Sequence, residues 1–140
     1  MIVYRDDIKA LPADRLTALF RAVGWTTEAG EAAHAAHFNT PFVHSAYVVS
    51  AWDGEALIGC VRVLGDTAVR SVIYDLAVLP AYQGQGIGRE LVRRCIARWP
   101  QSEWLVQTEP ETVGFYEKLG FRVLAAGERD VFLHIPCAWF

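Results

Sequence analysis

The stretch SVIYDLAVLPAYQGQGIGRELVRRCIARW, Ser71 to Trp99, decides how the rest of the chain is read. It opens on Val72-Ile73-Tyr74-Asp75-Leu76-Ala77-Val78, an apolar, β-branched run of strand length. Pro80 ends the strand, because it has no N–H to donate to a ladder. Gln83-Gly84-Gln85-Gly86-Ile87-Gly88 follows, with glycines on alternate positions. From there Ile87, Leu91, Val92, Cys95, Ile96 and Trp99 recur at helical spacing and form one apolar stripe. The order is strand, glycine-rich turn, helix.

That order has a physical consequence. A helix N-terminus carries unpaired N–H groups and a partial positive charge. Glycines let the backbone approach a ligand closely and permit positive φ. Together they make an anion site, most often for phosphate. Arg89, in the first helical turn, adds a formal charge to it. The spacing narrows the ligand. A dinucleotide fingerprint needs G-x-G-x-x-G, and Arg89 stands where the third glycine belongs. A P-loop needs Gly-Lys-Ser/Thr, which is absent.

The residues present, Gln83, Gly86 and Gly88, spell Q-x-x-G-x-G. In this the chain resembles the GCN5-related N-acetyltransferases (GNAT). A second block, Glu111-Thr112-Val113-Gly114-Phe115-Tyr116-Glu117-Lys118-Leu119-Gly120-Phe121, is similar to that family's FYEKLGF segment. The resemblance implies acetyl-CoA as co-substrate. Its pyrophosphate would rest on Gln83, Gly84, Gln85, Gly86, Ile87, Gly88 and Arg89. Main-chain groups of Leu76, Ala77 and Val78 would take the pantetheine arm, and Tyr116 would lie near the sulfur. The resemblance also implies that the central strand and the strand after its helix splay apart to admit that arm. It runs from about Ala46 to Val123.

Locally, the second block reads as a short capped helix. Thr108 and Glu111 form a Thr-x-x-Glu capping box. Pro110 fits the first turn, and Gly120 supplies a left-handed stop beside an apolar Phe121.

Composition sets the frame. The chain has 140 residues, 53% hydrophobic and 21% charged, which suits one domain over residues 1–140 with a proper core. A net charge of −3 with scattered arginines gives no reason to expect nucleic acid or an anionic membrane as partner. No apolar run reaches membrane-spanning length, and the N-terminus, with Arg5, Asp6 and Asp7, has no signal-peptide core. Cys60, Cys95 and Cys137 are odd in number and widely spaced and form no metal or disulfide pattern, and Cys60 and Cys95, set within apolar patterns, suggest buried thiols in a reducing cytoplasm.

Taken in order, Ile2-Val3-Tyr4 is a short strand. Pro12 to Val23 is a helix ended by Gly24. Thr26 or Thr27 caps a second helix over roughly Glu28 to Phe38, broken by Asn39-Thr40-Pro41. Strands over Ser45–Trp52 and Ala56–Leu64 flank an Asp53-Gly54 turn. Gly65-Asp66 turns into the central strand, Ser71–Val78. The long helix then leads to a parallel strand over Glu103–Thr108 through a right-handed crossover. Phe121–Ala125 and Val131–Ile135 close as a hairpin. The expected fold class is α/β (α+β in some schemes): a mixed, mostly antiparallel sheet with helices on both faces.

Acetyl transfer to an amine needs a neutral amine, although a free alkylamine of pKa near ~10 is mostly charged at pH 7. It needs donors for the oxyanion and a proton donor for the leaving thiolate. Tyr116 is the candidate acid, with a packed aromatic as its plainer role. The resemblance implies an oxyanion donor from the Leu76–Val78 main chain, with Val78 preferred. Relatives place a glutamate at the positions of Val72 or Tyr74, and neither residue here is a base. Asp75 is the only carboxylate on the strand. Strand alternation puts it on the face opposite Tyr74 and Leu76. There it would hold the acceptor or act as base, or pair with a nearby arginine. Glu109, where relatives often carry Asn, is a candidate cofactor contact. Thr112, where relatives often carry Ala, departs from the pattern too.

Trp25 and Tyr74, with Asp75, are the candidate acceptor contacts, His37 and Phe38 lying in the same variable region. Core packing is the alternative for Trp25. His34 and His37 are three apart, but no further ligand set accompanies them, so no metal is expected. The Trp139-Phe140 tail packs on the sheet or pairs a dimer, leaving monomer or homodimer open. The leading reading is an acetyl-CoA-dependent N-acetyltransferase acting on a small-molecule or protein amine. Rival readings are a non-catalytic acyl-CoA sensor on the same fold and a domain binding another phosphate ligand.

Overall fold

The structure is a computed structural model describing residues 1–34 and 37–139. Its strands are β1 (Ile2–Arg5), β2 (Tyr47–Asp53), β3 (Ala56–Gly65), β4 (Arg70–Val78), β5 (Glu103–Thr108), β6 (Arg122–Ala126) and β7 (Val131–Ile135). Its helices are α1 (Ala13–Ala22), α2 (Glu28–His34), α3 (Thr40–Val43), α4 (Ile87–Arg98) and α5 (Val113–Glu117). All seven strands form one mixed sheet, ordered β1-β2-β3-β4-β5-β7-β6. Every neighbouring pair is antiparallel except β4 and β5.

Two apolar layers hold helices to the two faces. On one face α4 buries Ile87, Leu91, Val92 and Cys95 against Val49, Ile58, Val61, Val63 and Ile73. On the other, α1 buries Leu16 and Leu19 with Leu11, Phe42, Val48, Leu57, Cys60 and Ala77. Each such side chain removed from water contributes roughly 1.5–3 kcal/mol, so the layers rather than local propensity fix the helices. Burial also pushes the Cys95 thiol up to about 12 and raises the Cys60 thiol from its ordinary value, and both are free thiols, as is Cys137.

Several expectations change. Thr27 does cap α2, its hydroxyl accepting from the Gly30 amide at 3.1 Å. The expected helix to Phe38 crosses residues 35–36, which lie outside the described residues. Asn39-Thr40-Pro41 opens the short helix α3 instead of only breaking one, since proline costs no hydrogen bond in a first turn. The closing hairpin forms as expected and enters the sheet with β7 beside β5 and β6 at the edge. Between β3 and β4, Asp66 Oδ1 accepts the amides of Ala68, Val69 and Arg70, which holds its carboxyl below the usual range.

Candidate functional site

The parallel pairing of β4 with β5 lasts for only part of either strand. It runs from Arg70 opposite Glu103 to Ile73 opposite Val106 and stops. β4 continues to Val78 on β3, while Gln107 and Thr108 of β5 pair only with β7. A gap therefore opens between the C-terminal ends of the two central strands. Antiparallel ladders present main-chain groups to alternate sides. Leu79 donates to the Ile58 carbonyl of β3, so Val78 and Leu76 direct their main-chain groups toward the gap. Gln83 Nε2 donates to the Val78 carbonyl at 3.0 Å, which ties the glycine loop to that strand end.

The loop has the geometry its glycines require. Gly84 has φ +78° and Gly86, the N-cap of α4, has φ +82°, both in the left-handed region. A Cβ on Gly84 would meet nothing within 4 Å, so that backbone faces open space. Gly88 has a different setting. A Cβ there would lie 3.4 Å from the Phe115 ring and 3.7 Å from a Val78 methyl. These are ordinary contact distances, so Gly88 marks where α4, β4 and α5 pack together beside the gap and the space would admit a Cβ. Arg89 is exposed and makes no ion pair among the described residues, with its Nη2 close to Gly86. The first-turn amides of α4 and this guanidinium form a compact cationic cradle. Arg93 and Arg94 are instead held by Glu90.

Tyr116 lies in the layer beside this cradle, its ring edge-on to Phe115 and Phe121. Burial pushes its phenol up to about 12. Its hydroxyl has no hydrogen-bond partner among the described residues, where no buried side-chain polar atom lacks one, so the hydroxyl keeps a solvent-reachable edge. The helix that carries it ends as expected, with Gly120 at φ +98° and Phe121 buried. It does not begin as expected. No capping box forms, and the Thr108 hydroxyl bonds to that of Thr112 across the 3₁₀ turn Pro110–Thr112. Glu109 is exposed at the head of this turn, and its carbonyl accepts from Thr112.

On the α1 side of β4 the alternation fails. Asp75 has φ +52°, and a bulge sits between the Cys60 and Arg62 pairings. One extra residue reverses the alternation beyond it. Asp75 therefore shares a face with Tyr74 instead of opposing it, while Leu76 turns to the α4 layer. The face expected for Asp75 from simple alternation is thus corrected. Asp75 Oδ2 accepts from Arg62 Nε at 2.5 Å, and the guanidinium lies 5.3 Å from the centre of the Tyr74 ring. Aromatic rings continue this wall: Phe42, then Phe20, then Phe38 and Trp25, the last with its ring 5.3 Å from Phe20 and half exposed. Arg62 carried no signal in the sequence. Only its cross-strand pairing with Tyr74 could have flagged it. His37 is exposed, the side chain of His34 lies outside the described residues, and no group of three metal-ligating side chains gathers among the described ones. A cleft of about 640 Å³ between β1, the start of α1 and the Asp53-Gly54 turn does not reach the gap.

A family model described as an acetyltransferase (GNAT) domain matches residues 44–123, more than half the chain and the whole of the gap, loop and α5. The chain belongs to the GNAT family. It is accordingly an N-acetyltransferase by family, with the acyl-CoA N-acyltransferase fold. It is similar to a GNAT-family acetyltransferase from Streptococcus pneumoniae: 31% identical, TM-score 0.72, covering 91% of this chain and 95% of that one. It is 28% identical over 123 residues to the uncharacterized N-acetyltransferase ycf52 of Pyropia yezoensis, covering 85% of this chain and 70% of the relative. An aminoglycoside 6'-N-acetyltransferase complexed with coenzyme A shares the fold at 13% identity, TM-score 0.74, covering 95% of this GNAT chain and 96% of that one.

Proposed function

We propose that this protein transfers acetyl from acetyl-CoA directly to a primary amine, of a small molecule or a protein, in a ternary complex. The observation that carries this is the gap between β4 and β5, where the ladder leaves the Leu76 main chain and the Val78 N–H without a strand partner, the Val78 carbonyl being taken by Gln83, with the glycine loop of α4 at its mouth. A polar backbone edge left unpaired inside a sheet is costly unless a ligand satisfies it. An amide-bearing arm beside a pyrophosphate matches both parts. In this reading Gln83 to Arg89 take the phosphates, the Leu76 to Val78 main chain takes the arm, and a main-chain N–H, by preference that of Val78, faces the thioester oxygen.

Tyr116 then serves the leaving sulfur. Its phenol at about 12 stays protonated throughout the physiological range. That lies well above a thiol of about 8.5, so the phenol stabilises the thiolate by donating a hydrogen bond rather than by giving up its proton. Asp75 and Tyr74, with Trp25 further out, are the acceptor contacts, and Glu109 borders the mouth of the gap. The free thiols of Cys60, Cys95 and Cys137 support a reducing compartment, for which we take the cytoplasm. A second reading, a non-catalytic acyl-CoA sensor, draws on the engagement of Asp75 by Arg62.

Thermal unfolding with acetyl-CoA, beside NAD and ATP, tests the first step. At about 100 times its dissociation constant a ligand adds roughly 2.7 kcal/mol, a shift of several degrees for a domain of this size. A rise with acetyl-CoA alone is expected, and no rise at saturation ends the reading. Coenzyme A release over an amine panel then separates enzyme from sensor.

A further inference from the structure

Arg62 is held unusually well for a side chain with so much left to bind. Its Nε donates to Asp75 Oδ2, and its guanidinium lies over the rings of Phe42, at 5.9 Å, and Tyr74, at 5.3 Å. The side chain is only 14% exposed. Yet Nη1 and Nη2 have no hydrogen-bond partner among the described residues. Since no buried side-chain polar atom among those residues is left unpartnered, both nitrogens open to the surface. Asp75 Oδ1 likewise accepts no hydrogen bond among them, and its side chain is 34% exposed.

A guanidinium is a rigid fork of donors whose geometry matches a carboxylate. Partly desolvated and oriented by Asp75 and two rings, its free nitrogens gain more from an anion than an exposed arginine would. Beside them stands a carboxylate with one oxygen to spare. A plain amine would use Asp75 and leave the fork unpaired. A ligand carrying an ammonium and a carboxylate side by side satisfies both ends of the pair at once. The surface nearby carries Tyr74, Phe20, Phe38 and Trp25, over the buried ring of Phe42, and suits an apolar body.

We propose that the acceptor is an amine bearing an adjacent carboxylate, an amino acid with an apolar side chain, and that Arg62 is the residue that selects it. This rests on the acetyltransferase reading for where the acceptor sits. The two are separable by experiment. Protein saturated with coenzyme A is titrated calorimetrically with L-phenylalanine and, in parallel, with L-phenylalaninamide, which keeps the amine and ring but lacks the carboxylate. The free acid should bind at least tenfold more tightly, the size of about one charge-assisted hydrogen bond. Arg62→Met should erase the preference, and Arg62→Lys should keep only part of it. The melting temperature of each variant is read alongside. If the Met variant does not fold, the Lys variant carries the comparison. Equal affinity for the two probes, preference for the amide, or binding of neither overturns the proposal. A missing acetyl-CoA shift would instead remove the transferase reading.

Discussion

The two flanks of β4 work by different means. On its β5 side the strand presents main chain, Leu76 and Val78, to a gap closed at one end by glycines. On its α1 face it presents side chains, Tyr74 and Asp75, to an arginine and a row of rings. A main-chain site tolerates almost any apolar side chain on the strand, because the backbone does the binding. A side-chain site changes its ligand with each substitution. In the proposed reading, one flank serves a co-substrate shared across a family while the other is free to vary its acceptor.

Tyr116→Phe should make the largest break between the flanks. Turnover should fall roughly 10- to 100-fold, the worth of a hydrogen bond to a charged partner. Calorimetry should find the acetyl-CoA affinity unchanged, and a Phe variant with full turnover would remove Tyr116 from the chemistry. Gly86→Val comes next. A β-branched residue at φ +82° costs about 1–2 kcal/mol of strain, so acetyl-CoA affinity should drop about tenfold. Acceptor KM should hold once acetyl-CoA is saturating.

The acceptor flank should respond in the opposite sense and more weakly. Trp25→Ala removes one aromatic wall and should raise acceptor KM a few-fold, in line with about 0.5–1.5 kcal/mol for an aromatic contact. Acetyl-CoA binding should not move. The smallest effect is one of pH. With the Tyr116 phenol raised to about 12, folding favours its protonated form. Its contribution to stability is complete below about pH 10 and fades as pH rises through the folded value. Turnover should climb with amine deprotonation and show no fall assignable to Tyr116 below about pH 10. A falling limb near neutrality that disappears in the Phe variant would contradict the raised phenol.

Much of this architecture is written locally. The strand–glycine–helix order of Ser71 to Trp99 needs only neighbouring residues: alternating or continuous apolar runs, a proline that cannot pair, and glycines that alone accept positive φ. The bounds of β5 and β7 follow from the same short-range patterns, as does the stop at Gly120. The parallel partnership of β4 and β5 follows from the helical crossover that joins them, which returns the chain to the same end of the sheet. The left-handed turns at Gly84 and Gly86 were legible for the same reason, since backbone conformation is a local property.

What lay beyond the sequence is what depends on contacts distant along the chain. The bulge at Asp75 is visible only where β4 meets β3, because one unpaired residue leaves no mark on composition. It reverses the face of a single carboxylate and delivers it to Arg62, 13 positions earlier. The capping box at Thr108 and Glu111 had every local credential, yet the 3₁₀ turn gave the Thr108 hydroxyl a nearer partner in Thr112. The insertion of β7 between β5 and β6 needed the whole sheet to be assembled. Backbone conformation answers to neighbours in sequence, whereas the pairing of charges and the facing of side chains answer to neighbours in space.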